Sequence, residues 1–110
     1  MIRHIVLFNV KEGEDKDQVA AIAARVLEPL CGQIPGLLHA EVERCFAGVD
    51  FALYTELEDK EALAFYADHP LHTEAKSHFF HLVESRVAAD YEICLPSGGL
   101  QPSRNCRGIL

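Results

Sequence analysis

Seven consecutive residues, Tyr66-Ala67-Asp68-His69-Pro70-Leu71-His72, hold a phenol, two imidazoles and a proline. A phenol can donate a hydrogen bond to a carbonyl oxygen as negative charge builds on it. An imidazole takes up or releases a proton near neutral pH. Together they suit proton transfer or aldol-type chemistry on a carbonyl compound. Pro70 cannot continue a helix, and it pushes His69, the residue before it, out of helical geometry. The chain therefore turns between Tyr66 and His72, which lets both face one cleft. The plainer alternative makes Tyr66 a core aromatic with its hydroxyl at the rim, and His72 an exposed or capping residue of the next helix. His4 sits near the other end of the chain inside an apolar run. A buried imidazole needs a partner. His4 is thus either a wall of the same cleft that donates to a ligand, or a satisfied core histidine.

Other reactive residue types carry less. His69 and His72 are three apart, as are His78 and His81. Such spacing can hold a divalent ion, but no carboxylate completes a ligand motif, so surface histidines are expected and no metal. Cys31, Cys45, Cys94 and Cys106 are widely separated and form no C-x-x-C pair. They read as ordinary small apolar residues, kept reduced in a cytoplasmic protein. Gly98-Gly99 lacks the strand-to-helix context of a phosphate loop, and no organic cofactor is expected. Over 110 residues the formal net charge is −7. That acidity argues against nucleic acid and against anionic membranes as partners. No basic region followed by a long apolar one opens the chain, and no apolar stretch is long enough to span a bilayer, so a cytoplasmic location is expected.

The elements that must position these groups follow from periodicity. Ile2 to Val10 alternate and are rich in β-branched residues, which predicts a strand. Val19, Ile22, Ala23, Val26, Leu27 and Leu30 recur at steps of three and four, the stripe of an amphipathic helix. Asp15 or Asp17 can cap it, and Pro29 must kink or end its last turn. Ile34-Pro35-Gly36 is a turn. Leu37 to Phe46 then reads as a second strand, with Leu38, Ala40, Val42 and Phe46 on one face. Phe51, Leu53, Thr55 and Leu57 form one face of a third, close enough to pair with the second as a hairpin. Asp59 caps a helix carrying Ala62, Leu63, Phe65 and Tyr66, which breaks at Pro70. A further helical segment carries Leu71, Ala75, Phe79, Leu82 and Val83, and places Phe79 in the wall of the cleft. Val87 to Leu95 alternate as a fourth strand. Residues 1–95 thus form one domain, and from Pro96 the Ser/Gly/Pro-rich composition predicts a poorly ordered tail over 96–110.

The order β-α-β-β-α-β, with a broken second helix, is the ferredoxin-like arrangement, an α+β fold with a four-stranded antiparallel sheet. Helices cover one face of such a sheet. Yet the strands are apolar on both faces: Ile5 and Leu7 oppose Val6 and Phe8, and Phe51 and Leu53 oppose Ala52 and Tyr54. A second copy of the chain is the economical cover for the other face, which predicts a homodimer.

Several stretches match one family in order. Met1-Ile2-Arg3-His4-Ile5-Val6-Leu7-Phe8, Ile34-Pro35-Gly36-Leu37, Asp50-Phe51-Ala52-Leu53-Tyr54, Tyr66 to His72, and Val87-Ala88-Ala89-Asp90-Tyr91 resemble the stress-responsive dimeric α/β-barrel domain family across roughly residues 1–93. The resemblance implies a homodimer in which two sheets close into an α/β barrel. Some members are stress-linked, very stable assemblies. A few plant members are polyketide cyclases, in which a Tyr and a His six residues later do the catalytic work while a His near the start of the first strand shapes the site. Tyr66, His72 and His4 stand at the matching positions. Two functions follow as expectations. In one, a small apolar carbonyl compound is cyclised or isomerised, with His72 as general base, Tyr66 polarising the carbonyl, and His4, His69 and Phe79 binding the substrate. In the other, the dimer is non-catalytic, stress-linked or ligand-binding. An open cavity at Tyr66 and His72 separates them from a core packed shut by Phe65, Phe79 and Leu82.

Overall fold

A computed structural model of the chain describes residues 1–94. The strands are β1 (Ile2–Val10), β2 (Leu37–Arg44), β3 (Phe51–Leu57) and β4 (Val83–Glu92), and the helices are α1 (Lys16–Leu27), α2 (Lys60–Asp68) and α3 (Pro70–Ser77). The sheet runs β2-β3-β1-β4, with every neighbouring pair antiparallel. This is the ferredoxin-like α+β fold, and β1 lies inside the sheet between β3 and β4. The tail over 96–110 and the expected strand end at Leu95 lie outside the described residues.

Local chemistry sets the helix ends. The Asp15 carboxylate accepts from the backbone N–H of Asp17 (3.0 Å) and Gln18 (3.2 Å), satisfying donors at the start of α1 that no helical turn can reach. Asp59 does the same for α2 through Ala62 N–H at 2.8 Å. Pro29 ends α1, and the chain continues as a tighter 3₁₀ turn over Glu28–Gly32. Gly36 takes φ +92° in the turn into β2. A Cβ there would meet the Ala62 Cβ of α2 at 2.8 Å.

The core lies between the helices and one face of the sheet. Val6 and Phe8 of β1, Phe51, Leu53 and Leu57 of β3, and Val19, Ala23 and Leu27 of α1 are all buried there. Phe8 stacks on Phe51 at 4.7 Å between ring centroids and meets the edge of Phe79 at 5.8 Å. The opposite face carries Ile5, Leu7, Ala52, Tyr54, Val87, Ala89 and Tyr91, as the cross-strand register requires. No helix among the described residues covers it: Val87 is 65% and Tyr91 46% exposed.

Three expectations change. Leu38 and Phe46 are exposed rather than core-facing. A register shift between Leu37 and His39 puts Leu37 inside in place of Leu38, and β2 ends before Phe46. The segment after Pro70 is helical only to Ser77, and β4 begins at Val83, four residues earlier than the alternation suggested. Its pairing with β1 extends through Val10↔Val83, so ladder hydrogen bonds override the helical spacing of Leu82 and Val83. Finally, Cys31 and Cys45 are free thiols, whereas Cys94 is disulfide-bonded and so is not the reduced apolar residue expected. Sulfur pairing depends on which side chains meet and on redox environment, neither of which Cys spacing reveals.

Candidate functional site

A cavity of about 150 Å³ opens between the sheet and the helices. β1 contributes His4, Val6 and Phe8, every second residue, because side chains on one face of a strand repeat with period two. Tyr66 arrives from α2, His72 and Lys76 from α3, and Arg86 from β4. Phe79, fully buried, forms part of the wall.

The Pro70 break brings Tyr66 and His72 together. His69 takes an extended backbone (φ −67°, ψ 137°), and its Nδ1 accepts from Leu71 N–H at 3.1 Å, capping α3. The helix is therefore broken between the two side chains. Their rings stack, with centroids 4.2 Å apart and planes 23° from parallel. His4 approaches the same phenol edge-on at 6.2 Å.

The Tyr66 hydroxyl is buried and has no hydrogen-bond partner among the described residues. Buried polar groups are nearly always paired, so an orphan at a cavity wall asks for a ligand or a water. Burial also pushes the phenol's pKa up, so it stays an O–H donor at any physiological pH. Burial acts in the opposite direction on His72, with the Lys76 ammonium adding to it: the imidazole's pKa falls to about 4. His72 is thus neutral near pH 7. Its Nδ1 donates a long hydrogen bond, 3.4 Å, to the Ala67 carbonyl, which leaves Nε2 as the free lone pair.

His4 is half-buried and has a partner. Its Nδ1–H is shared with the Asp90 carboxylate directly across the β1–β4 ladder. The carboxylate fixes the orientation of the imidazole at the cavity wall.

Of the residues expected at the site, His4, Tyr66, His72 and Phe79 line one cavity. His69 does not. Its ring packs edge-on against Phe65 at 5.2 Å on the outer side of α2, because the extended backbone that makes it a cap turns it away from the sheet. Phe65 is 51% exposed and does not plug the cavity. Asp90, Lys76 and Arg86 were not singled out as site residues from sequence. Lys76 carried a usable signal, since it stands one helical turn after His72. Asp90 and Arg86 required the β1–β4 register. Among the described residues no three His, Cys, Asp or Glu side chains gather as a metal site would need.

A sequence model of the stress-responsive A/B barrel domain family matches residues 2–93. An uncharacterized protein of Streptomyces coelicolor is 35% identical over 98 residues, covering 84% of this chain and 99% of that one. A dimeric protein of unknown function with a ferredoxin-like fold from Bacteroides fragilis superposes with a TM-score of 0.76 at 30% identity, over 83% of this chain and 94% of that one. A hydroxynitrile lyase from Passiflora edulis has the same fold, with a TM-score of 0.70 at 18% identity over 86% of this chain and 96% of that one. The chain belongs to the stress-responsive A/B barrel domain family.

Proposed function

We propose that this member of the stress-responsive A/B barrel domain family is a homodimer, each protomer of which binds a small, largely apolar carbonyl compound and moves a proton on it. The observation that carries this reading is the buried Tyr66 hydroxyl, unpartnered among the described residues, at a cavity wall that also holds two imidazoles. A cavity near 150 Å³ with mostly apolar walls has room for a benzene-sized guest. The uncovered apolar sheet face, and a relative at 30% identity that is dimeric, support self-association.

The chemistry follows from the groups. The substrate's carbonyl oxygen accepts from Tyr66 O–H. His72 Nε2 takes the proton from the adjacent carbon, and the C–H electron pair moves into the enolate. Tyr66 then holds the charge on the enolate oxygen. An imidazole with a pKa near 4 is a weak base in the empty site. The enolate that forms beside it raises its proton affinity at the moment of transfer, since an opposite charge favours the charged form. Returning the proton to a different atom completes an isomerisation, and attack of the enolate carbon on a second carbonyl gives an aldol cyclisation. His4, fixed by Asp90, orients the substrate.

Pentane-2,4-dione is a suitable probe, because loss of its enol absorbance reports proton transfer directly. The wild-type dimer should accelerate its tautomerisation, and His72→Ala and Tyr66→Phe should each remove most of the acceleration. Equal rates for wild type and His72→Ala would end the catalytic reading. Binding of the dione without acceleration would leave a passive ligand-binding dimer, for which the stacked, tightly packed Tyr66–His72 pair is the specific support.

A further inference from the structure

The far end of the same cavity has a chemistry that a neutral carbonyl compound does not use. Lys76 and Arg86 both line it, one from α3 and one from β4. Both stand on the Phe80 ring: the Lys76 Nζ lies 5.3 Å and the Arg86 guanidinium carbon 5.5 Å from its centroid. Among the described residues neither makes an ion pair, although the chain carries 17 acidic residues against 10 basic ones. Two like charges beside one ring and lining one cavity repel each other, and a single anion that both can reach relieves that repulsion. The guanidinium fork suits a carboxylate, and the ammonium adds a second donor.

The strand register sets Arg86 apart from His4, while Lys76 stands one helical turn from His72. Arg86 pairs with Phe8, whereas Asp90 pairs with His4 on the same face of the same two strands. Four residues of strand place Arg86 roughly 13 Å along the backbone from Asp90, the partner of His4. Arg86 also points to the helix side of the sheet, so covering the opposite apolar face with a second copy leaves it available.

We propose that the ligand is a keto acid, its carboxylate held between Lys76 and Arg86 while its carbonyl accepts from Tyr66. This assignment rests on the carbonyl-pocket reading above and names the substrate class. Small neutral ketones then bind as truncated substrates, and anions are drawn selectively into an otherwise acidic protein.

The test compares two probes of almost the same shape, 4-oxopentanoate and hexane-2,5-dione, which differ in carrying a carboxylate or a methyl ketone at one end. Binding is followed by titration with amide chemical shifts as the readout. The keto acid should bind about tenfold more tightly, equivalent to ~1.4 kcal/mol, and the margin should shrink with added salt. Lys76→Met and Arg86→Gln should each cut the ratio of the two affinities, the double variant should bring it to about one, and Arg86→Lys should recover part of it. Equal affinities in the wild type overturn the keto-acid assignment and leave the carbonyl pocket standing. A ratio that survives in the double variant also overturns it, and shows that the two cations serve only to pack Phe80. If neither probe binds, the pocket reading and the keto-acid assignment fall together.

Discussion

Replacing Tyr66 by Phe should make the protein more stable and less able to hold its ligand. The ring contributes its stack on His72 at 4.2 Å and its edge contact with His4 at 6.2 Å, and Phe keeps both. What leaves is one buried hydroxyl with no partner. An unsatisfied buried polar group costs about 1–3 kcal/mol. The adjoining cavity can admit a water that offsets part of this, so the expected gain is ~1 kcal/mol. For a domain of this length that raises Tm by about 4 °C. Thermal and urea unfolding at one fixed protein concentration measure it, because a dimer's stability depends on concentration. The urea m-value should not change, since the same surface is exposed on unfolding. A loss of stability similar in size to the expected gain would refute the reasoning, by showing that the hydroxyl is well paired in the folded protein.

Four further outcomes are expected. His72 has a folded-state pKa near 4 against an ordinary 6.5, so the unfolded chain takes the proton first as pH falls; stability should be full above pH 6.5, decline down to about pH 4 by at most ~3 kcal/mol, and level off below, and His72→Gln should flatten that slope in urea titrations run across pH. With His72 as the base, the kcat/KM profile for pentane-2,4-dione should stay level on its acid side down to about pH 4; an acid limb at higher pH that disappears in His4→Asn would transfer the role to His4. Gly36→Ala combines φ +92° with a 2.8 Å approach to Ala62 Cβ, so it should lower the urea-derived stability by roughly 2–4 kcal/mol. Leu7→Asp places a charge at the centre of the exposed apolar sheet face, and light scattering should then report a monomer, with a dimer expected for the wild type; a dimer that persists would mean association occurs elsewhere.

Much of this molecule was legible because its signals are local. Asp15 and Asp59 cap the helices they precede, and Pro70 breaks the second helix, since each acts within a few residues of itself. The alternation of Phe51, Leu53, Thr55 and Leu57 reads directly as a buried face. What escaped depends on partners distant in sequence. Leu38 is exposed only because β2 shifts register against β3, and Val83 is a strand residue only because Val10 pairs with it. The site divides in the same way. Tyr66 and His72 share one heptapeptide and were visible together. His4 belongs with them only once β1 is known to lie inside the sheet, and Asp90 and Arg86 enter only through the β1–β4 register. His69 stands outside this cavity because its position before proline makes it the cap of α3.

Burial has opposite consequences for the two residues at the centre of the site. It keeps the Tyr66 phenol protonated, which is the form a carbonyl oxygen needs, and it leaves that proton without a partner until a ligand arrives. It also keeps His72 unprotonated, which is the form a base needs, while weakening it as a base. Both residues therefore carry an energetic cost in the empty protein that a polarised carbonyl compound would relieve: its oxygen completes the phenol, and its developing negative charge strengthens the imidazole. A core selected for stability alone would do better with Phe at 66 and an apolar residue at 72. If Tyr66→Phe is stabilising and His72→Gln removes the acid-side loss of stability, the pair is retained at the expense of the fold, and the cavity they line is where the compensating function must lie.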